Sequence, residues 1–445
     1  MLKIYEVEHA LESILRRKPI DEFPVSPAMR RRTLDVFGED LSPDEAVRRI
    51  LKDVRLRGDE ALLEWTRKLD GVVLTVETLE VSDDEIAAAY DLVDSEIVAA
   101  LERAADRIRA FHNRQPFHSW MDSDLGGLLG QIIRPLERVG VYSPGGTAPL
   151  ASTLLMTAIP ARAAGVDEVV VCSPADRTTG KVAPITLVAA DIAEVDAVYA
   201  VGGAQAIGAL AYGTSTIPRV DKIAGPGNTF VVLAKKHVFG AVGIDALPGP
   251  TETVVVADDS ANPAWVAADL LAQSEHTGGT AILITPSLAL AHEVDRQLQK
   301  QVNALATAAD ILESFESRSG AVITEDLMEA VALADDFAPE HLCLSVRDPW
   351  AWVGKIRNAG GIFVGEQSYE VLGDYVAGPS HTMPTGGTAR FTSPCNVLDF
   401  VRVTNVIALD EITARQIAPV AIQLAEAEGL PAHAAAARIR LVNDR

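Results

Sequence analysis

From residue 136 onward, short runs of apolar and β-branched residues alternate with alanine-rich segments of helical length. The runs cover residues 139–142, 168–172, 197–201, 221–224 and 252–257, and a second series covers residues 281–285, 319–323, 342–346 and 361–364. Strands that alternate with helices form right-handed βαβ units around a parallel sheet. The pattern therefore predicts an α/β protein with two doubly wound layers.

The chain on either side of these two series has a different texture. Residues 1–27 are predicted to form a short arm, and residues 42–113 a set of amphipathic helices. Ser42 and Glu45 have the spacing of a capping box at the first of these helices. After residue 396 the strand pattern fades, and residues 411–440 have the composition of a helical tail with a break at Gly429-Leu430-Pro431.

Three glycine-rich turns follow runs of the first series. They are residues 142–147, 202–205 and 224–228. Parallel sheets bind ligands at the carboxyl ends of their strands, where glycine allows backbone amides to approach a phosphate. None of the turns is a GxGxxG motif, so each one also fits a plain β–α connection. If they line a nucleotide-sized cleft, Tyr142, Gln205 and Asn228 are its candidate polar contacts.

Glu340 and His341 are adjacent and lie between a proline and an apolar run. Pro339 ends the preceding helical pattern and favours an extended neighbour, which predicts a junction between loop and strand. A carboxylate beside an imidazole suits general acid–base chemistry. The alternative is a loop glutamate followed by a hydrogen-bonded core histidine.

A second group of polar residues suggests a metal site without cysteine. Gln273 and His276 share one face at the end of a helix for which Asn262 is the predicted N-cap. Asp374 and His433 lie in later segments, and the four side chains together offer nitrogen and oxygen donors for zinc or manganese. Taken alone, His276 also fits a helix-end histidine that bonds to a carbonyl.

Composition excludes several classes of function. The net charge of −23 argues against nucleic acid or an anionic membrane as a main partner. The chain has three cysteines, far apart and without a CxxC motif, which fits a reducing cytoplasm and no thiolate zinc site. We expect no secretory signal and no membrane span, since the apolar segments are interrupted by acidic residues and glycines.

Six segments of the chain together resemble the histidinol dehydrogenase family. They are VGVYSPGG (139–146), VGGAQA (201–206), KIAGPGN (222–228), QSEH (273–276), FAPEH (337–341) and HTMPT (381–385). The likeness extends from about residue 30 to residue 440. It implies a four-electron oxidation of L-histidinol through the aldehyde to L-histidine, with two NAD+ used in turn.

The resemblance also implies roles for individual residues. His341 would take the alcohol proton and assist the second oxidation, while Glu340 would activate the water that hydrates the aldehyde. The implied ligands of one Zn2+ per subunit are Gln273, His276, Asp374 and His433. The implied substrate contacts are Thr251, Gln273, His276, His341, Asp374, His381, Glu428 and His433. The implied NAD contacts are Tyr142, Gln205 and Asn228.

The fold implied by the resemblance has two incomplete Rossmann-like domains, one inserted in the other, with small helical terminal domains. The expected boundaries are residues 1–27 for the arm, 28–138 with 252–395 for the first domain, 139–251 for the inserted domain and 396–445 for the tail. The family forms a homodimer with a swapped tail, so Glu428 and His433 would act on the partner's site.

One position departs from the family pattern. The family usually has serine where this chain has Thr251, which keeps the hydroxyl and adds a methyl group. This leaves open a member that oxidises another small polar alcohol, such as a sulfonated diol, although Glu428, His381 and His433 favour histidinol. Two further alternatives are a metallohydrolase, in which Glu340 activates a zinc-bound water, and an acidic oligomeric binding protein.

Overall fold

The computed structural model describes residues 1–17, 27–145, 149–276 and 278–442. Within these ranges the chain forms two compact units. The first comprises Met1–Arg114 and Leu136–Phe400, and the second comprises Gln115–Pro135 and the chain from Val401 onward. Residues 18–26 of the predicted arm and the end of the predicted turn after Tyr142 lie outside the described residues.

The secondary structure of the described residues is as follows. The strands, in chain order, are β1 (Ile4–Glu6), β2 (Trp120–Asp122), β3 (Leu128–Pro135), β4 (Arg138–Tyr142), β5 (Glu168–Cys172), β6 (Ala197–Tyr199), β7 (Lys222–Ala224), β8 (Gly243–Ile244), β9 (Glu252–Ala257), β10 (Thr280–Thr285), β11 (Gly320–Ile323), β12 (His341–Ser345), β13 (Gly361–Val364) and β14 (Val401–Ala408). The α-helices, in chain order, are α1 (Val7–Glu12), α2 (Pro27–Phe37), α3 (Pro43–Arg57), α4 (Asp59–Asp70), α5 (Val76–Leu79), α6 (Asp83–Tyr90), α7 (Ser95–His112), α8 (Ala151–Ala163), α9 (Pro184–Ile192), α10 (Gly203–Tyr212), α11 (Thr229–Val238), α12 (Pro263–Ser274), α13 (Leu288–Val302), α14 (Ala308–Ser317), α15 (Leu327–Phe337), α16 (Trp350–Val353), α17 (Glu370–Tyr375), α18 (Glu411–Ala427) and α19 (Pro431–Arg438). Short 3-10 helices cover Thr388–Arg390 and Val397–Phe400.

The larger parallel sheet has the strand order β1-β11-β10-β9-β12-β13. Alternate residues of β9 belong to cores on opposite faces, because helices cover both sides of a parallel sheet. Val255 packs with α12 and α13 on one face, and Val254 and Val256 pack with α15 on the other. In β12, His341 lies beside Thr253 of β9. The residues that precede β9 and β12 therefore meet at the amino edge of this sheet.

The smaller parallel sheet has the strand order β6-β5-β4-β7-β8. In its centre, Val141 of β4 lies between Val171 of β5 and Ala224 of β7. The turns after β4 and β7 therefore meet at the carboxyl edge, where parallel sheets bind ligands. The two parallel sheets confirm the predicted α/β fold class, while the predicted domain boundaries stay a prediction.

The second unit contains an antiparallel sheet with the strand order β14-β3-β2. Strand β14 pairs with β3 from Val401 beside Pro135 to Ala408 beside Leu128. The sequence pattern after residue 396 did not predict this strand, because most of its side chains are exposed and its partner lies far away in the chain. The helices α18 and α19 occupy the predicted helical tail, and the break between them falls at the predicted Gly429-Leu430-Pro431.

The segments outside the two series of strands contain one expected and one unexpected feature. Ser42 caps α3 with its side chain, and Glu45 returns a hydrogen bond to the backbone of Ser42, as predicted. In the arm, Ile4 of β1 pairs in parallel with Ala321 of β11, which adds an edge strand to the larger sheet. A three-residue strand has no periodicity to recognise, so only its partner reveals it.

Among the described helices, none combines the length and the apolar character that a membrane crossing requires.

Candidate active site

Glu340 and His341 lie where the backbone passes from α15 into β12. The helix ends at Phe337, and Ala338 adopts a left-handed conformation with φ 52° and ψ 62°. Pro339 follows, and the strand begins at His341. The predicted junction between loop and strand is confirmed. It directs two adjacent polar side chains at the amino edge of the larger sheet.

Glu340 is buried, and one of its carboxylate oxygens is held by two donors. Thr251 donates its hydroxyl to Oε2 at 2.5 Å, and the backbone N–H of Glu252 donates to the same atom at 3.1 Å. Burial raises the pKa of Glu340 to about 7, even though the charge of His341 and both hydrogen bonds act in the opposite direction. A carboxyl group with this pKa can both accept and release a proton near neutral pH.

His341 is buried among carboxylates. Its Nδ1 lies 3.3 Å from the carbonyl oxygen of Glu252 and 3.7 Å from Glu340 Oε2. Its Nε2 lies 3.5 Å from Asp374 Oδ1 and has no hydrogen-bond partner. Burial on its own lowers the pKa of His341, but the carboxylates of Glu370 and Glu340 outweigh it and raise this pKa to about 10.

Glu370 is a member of this cluster that no sequence pattern predicted. It lies at the start of α17, is only 1% exposed, and places Oε1 3.8 Å from His341 Nδ1. Burial raises its pKa to about 7, and its Oε2 has no hydrogen-bond partner. The sequence feature that could have revealed Glu370 is its spacing of four residues from Asp374, which puts both carboxylates on one helix face.

Gln273 connects this cluster to helix α12. In the amide orientation that satisfies both of its ends, the nitrogen donates to Glu370 Oε1. The amide oxygen then accepts from the backbone N–H of Glu252 at 3.0 Å and lies 2.6 Å from Thr251 Oγ1, where it competes with Glu340 Oε2 for the one hydroxyl proton. The helix begins after Asn262, whose side chain caps it as predicted.

A cavity of about 180 Å³ brings most of the predicted site residues together. The predicted residues that line it are Thr251, Gln273, His276, Glu340, His341, Asp374 and His381. Gly249, Pro226 and Thr153 also contribute to its wall. An imidazole, a carboxylate and an amide therefore face one space, and these groups offer nitrogen and oxygen donors for a divalent metal.

His381 is fixed at both ring nitrogens. Nδ1 lies 2.6 Å from the carbonyl oxygen of Asp374, and Nε2 lies 3.1 Å from Thr153 Oγ1. Burial lowers the pKa of His381. A neutral ring that bonds to a carbonyl through Nδ1–H presents Nε2 as an acceptor toward the cavity wall.

The predicted NAD contacts lie at the carboxyl edge of the smaller sheet. Gln205 and Asn228 line a separate cavity of about 80 Å³, and the Tyr142 hydroxyl adjoins it by accepting the N–H of Gly203 at 3.1 Å. Gln205 donates to Asp70 Oδ2 at 2.9 Å, while its own Oε1 is buried without a partner. Asp70 was missed because it comes from the end of α4, far from the glycine-rich turns.

A buried ion pair holds the turn after β7. Lys235 is fully buried, bonds to Asp245, and donates to the carbonyl of Gly225 at 2.8 Å. Gly225 has φ 113°, and a Cβ at this position would lie 2.2 Å from the carbonyl oxygen of Tyr142. Only glycine fits, and the close approach brings the turn against β4. Asn228 ends the turn and caps α11.

Two predicted site residues lie elsewhere. Glu428 and His433 belong to the second unit, and both side chains are exposed there. All described residues that line the 180 Å³ cavity belong to the first unit. The structure of a single chain thus brings together seven predicted residues in one cavity and leaves these two outside it.

Comparison with known proteins identifies the family. The family model of histidinol dehydrogenase matches residues 38–441. A histidinol dehydrogenase of Deinococcus radiodurans is 52% identical over 426 residues, which cover 95% of this chain and 97% of that protein. One of Thermus thermophilus is 50% identical over 402 residues, which cover 90% and 95%. The crystal structure of histidinol dehydrogenase from Elizabethkingia anophelis has a TM-score of 0.89 and 33% identity, with 99% of this chain and 98% of that chain covered. The chain is therefore an NAD-dependent dehydrogenase that belongs to the histidinol dehydrogenase family.

Proposed function

We propose that this protein oxidises L-histidinol to L-histidine through histidinaldehyde, with two NAD+ reduced in turn. The proposal depends above all on the buried pair Glu340 and His341 in the wall of a cavity that also exposes His276 and Asp374. In full, one alcohol, one water and two NAD+ give one carboxylate, two NADH and three protons. Both oxidations need a group that accepts a proton as a hydride leaves carbon.

His341 would be that group. Without a cation nearby, the surrounding carboxylates keep this ring protonated near neutral pH. In its neutral form the ring would keep its proton on Nδ1, which faces the carbonyl of Glu252, and leave Nε2 as the base. Nε2 has no hydrogen-bond partner and lies in the cavity wall beside Asp374. In the first step it would take the hydroxyl proton of the alcohol while a hydride passes to NAD+ from the carbon that bears this hydroxyl. In the second oxidation it would take a hydroxyl proton of the hydrated aldehyde.

Glu340 would activate the water that adds to the aldehyde. Its Oε2 is already held by Thr251 and Glu252, whereas its Oε1 has no hydrogen bond from a described residue. A carboxylate with one fixed oxygen and one free oxygen can orient a water and accept its proton. A pKa of about 7 leaves part of Glu340 ionised near neutral pH and makes its carboxylate a stronger base than an ordinary glutamate.

The cavity residues fit a divalent metal such as Zn2+. His276 and Asp374 would supply an imidazole nitrogen and a carboxylate oxygen, and Gln273 an amide oxygen. In the amide orientation with its oxygen toward Glu370, two acceptors face each other, and a nearby cation would stabilise that arrangement. When bound, the metal would hold the amino group and imidazole of the substrate and neutralise the carboxylates around His341.

The second unit supports a homodimer in which the tail acts on the partner's site. Helix α18 has no buried residue, although it carries several large apolar side chains. Those that are exposed on it are Ile412, Ile417, Val420 and Leu424. A helix with four large exposed apolar side chains is normally covered by a partner. In such a dimer, Glu428 and His433 of one chain would complete the metal and substrate site of the other.

NAD+ would bind at the cavity that contains Gln205 and Asn228. Its wall combines apolar side chains, among them Phe37 and Phe230, with the carboxylate of Asp70. Apolar walls suit an aromatic ring of the cofactor, and a carboxylate can accept hydrogen bonds from ribose hydroxyls. The acidic partner that no glycine-rich turn of the sequence provides would then come from α4.

One assay tests the proposed reaction directly. Purified protein is incubated with Zn2+, a limiting amount of L-histidinol and excess NAD+, and both NADH and L-histidine are quantified. The expected result is two NADH per alcohol consumed, since each oxidation transfers one hydride. No NADH would refute the proposed substrate, and one NADH per alcohol would show that the reaction stops at the aldehyde.

A further inference from the structure

The backbone of Glu252 contacts both members of the catalytic pair. Its N–H donates to Glu340 Oε2 at 3.1 Å, and its carbonyl oxygen lies 3.3 Å from His341 Nδ1. The first contact orients the carboxylate. The second selects the ring tautomer that leaves Nε2 as the base. A small rotation of this one residue would therefore misplace the acid and the base together.

The side chain of Glu252 is anchored by the N-terminal arm. Arg17 donates from Nη1 to one carboxylate oxygen and from Nη2 to the other at 2.9 Å, a two-pronged ion pair. The backbone N–H of Gly386 donates to Glu252 Oε1 at 2.9 Å. The Glu252 side chain is 7% exposed. Three segments that are distant in sequence thus meet at one carboxylate.

The same guanidinium also holds the loop that carries the catalytic pair. Arg17 donates from Nε to the carbonyl of Phe337 at 3.0 Å and from Nη2 to the carbonyl of Ala338 at 3.2 Å. It also stacks 3.5 Å from the centroid of the Phe337 ring. Ala338 is one of the few residues other than glycine with positive φ among those described, and such a conformation persists only when its surroundings enforce it.

We propose that Arg17 and Glu252 are positioning residues for the catalytic pair. The guanidinium fixes the carboxylate of Glu252 on one side and the left-handed turn before Glu340 on the other. It thereby sets the distance between the strand β9 that holds the pair and the loop that presents it. Arginine is required because its planar fork bonds to both carboxylate oxygens and to the carbonyls at once, which a lysine ammonium cannot reproduce.

The test compares Arg17→Lys, Arg17→Gln and Glu252→Gln with Arg16→Gln. Arg16 is the matched control because it is the exposed neighbour on the same arm. The reaction measured is the proposed histidinol oxidation, on which this inference rests. We expect kcat to fall about 10- to 100-fold in Arg17→Lys, Arg17→Gln and Glu252→Gln. The KM for NAD+ and the unfolding temperature of Arg17→Lys should stay close to those of the unmodified protein, as should the kcat of Arg16→Gln.

A readout independent of turnover is amide hydrogen exchange in peptides that span residues 338–345. Exchange should accelerate in Arg17→Lys and remain unchanged in Arg16→Gln, because only the former loses the bonds to the loop. If Arg17→Gln does not fold, the results for Arg17→Lys decide whether Arg17 is a positioning residue. Unchanged kcat in Arg17→Lys, or an equal loss in Arg16→Gln, would overturn the inference. If the unmodified protein makes no NADH, the proposed function fails, and hydrogen exchange of residues 338–345 alone tests the positioning role of Arg17.

Discussion

The carboxylate of Glu340 has two oxygens in different environments. Oε2 accepts from Thr251 and from the backbone of Glu252, whereas Oε1 has no hydrogen bond from a described residue. A carboxylate held in this way cannot rotate freely, so its free oxygen points in a defined direction. One fixed and one free oxygen suit a carboxylate that positions a water. A carboxylate that only balanced the charge of His341 would not need this asymmetry.

Glu340→Gln keeps the shape of the side chain but removes the base. We expect oxidation of histidinaldehyde to fall about 10²- to 10⁴-fold, because the water loses its proton acceptor. Oxidation of the alcohol should fall much less, since in the proposed reaction its proton would go to His341. Rates measured separately with alcohol and aldehyde check this. An equal loss in both would assign Glu340 a structural role.

Substitution of Thr251 tests the hydrogen bond to Oε2 of Glu340. Thr251→Val keeps the shape but removes the donor to Glu340 Oε2, a bond of 2.5 Å to a charged acceptor. Such a bond contributes about 1.5–3 kcal/mol, so we expect kcat to fall roughly 10- to 100-fold. Thr251→Ser is the control, because it keeps the hydroxyl and should retain most of the activity. Similar losses in both variants would implicate the methyl group.

At the scale of elements, α12 contributes side chains to two separate cavities. Its last turn carries Gln273 into the active site, while its middle carries Asp269 into a separate cleft shared with Glu366. Burial and the neighbouring charge of Glu366 raise the pKa of Asp269 to about 6. The helix therefore bears an unfavourable charge that plays no part in the proposed reaction.

Asp269→Asn should stabilise the protein in a pH-dependent manner. The unfolded chain releases this proton near pKa 3.8, whereas the folded protein keeps it up to about 6. Ionisation therefore destabilises the fold at neutral pH, and this penalty disappears as the pH falls to 4. After allowance for partial exposure, we expect a gain of about 1–2 kcal/mol at pH 8 and almost none at pH 4.

Thermal unfolding at several pH values and fixed protein concentration measures this effect. Asp259→Asn is the matched control, since that carboxylate is exposed and lies in the loop between β9 and α12. A stabilisation of Asp269→Asn that does not vary with pH would show that the gain comes from packing or helix propensity and not from removal of a charge.

At the scale of the whole molecule, few of the described side chains of the second unit are buried. Helix α18 contributes no buried side chain, and Ala434 is the buried residue of α19. Exposed apolar side chains on such a unit favour association of two chains. Glu428 caps the end of α18 and His433 lies in α19, so an association of two chains through this unit would carry both residues to the partner's site.

Mixed dimers test this arrangement. One subunit carries His433→Asn, and the other carries Glu340→Gln with His341→Asn. In a swapped dimer the first chain keeps an intact pair and receives an intact tail, so random mixing should restore about one quarter of full activity. The control places all three substitutions on one chain and mixes it with the His433→Asn chain. Recovery should be absent there, and absence in both mixtures would argue against action in trans.

Much of the architecture follows from local sequence signals. The runs of apolar residues predicted both parallel sheets, because fully buried strands need them. Ser42 and Asn262 predicted helix starts, since an N-cap depends on neighbouring residues only. Pro339 predicted the end of α15, because proline cannot continue a helix. Glu340 and His341 are consecutive residues, so no folding is needed to bring them together.

Other features depend on which distant segments meet. Strands β1 and β14 exist because an edge elsewhere accepts their hydrogen bonds, and no periodicity marks such a strand in advance. Glu370 and Asp70 resemble solvated acids in the sequence, and only burial beside His341 and Gln205 changes their pKa values and their partners.

Arg17 illustrates the same limit most clearly. Its sequence context is an arm, and its contacts with Glu252 and Phe337 span more than 200 residues. The sequence by itself determined the buried strands of the two parallel sheets, the caps of α3 and α12 and the adjacent pair Glu340 and His341, because these depend on neighbours in the chain. The tertiary structure alone decided how that pair is held, because burial and hydrogen-bond partners are properties of the packed molecule.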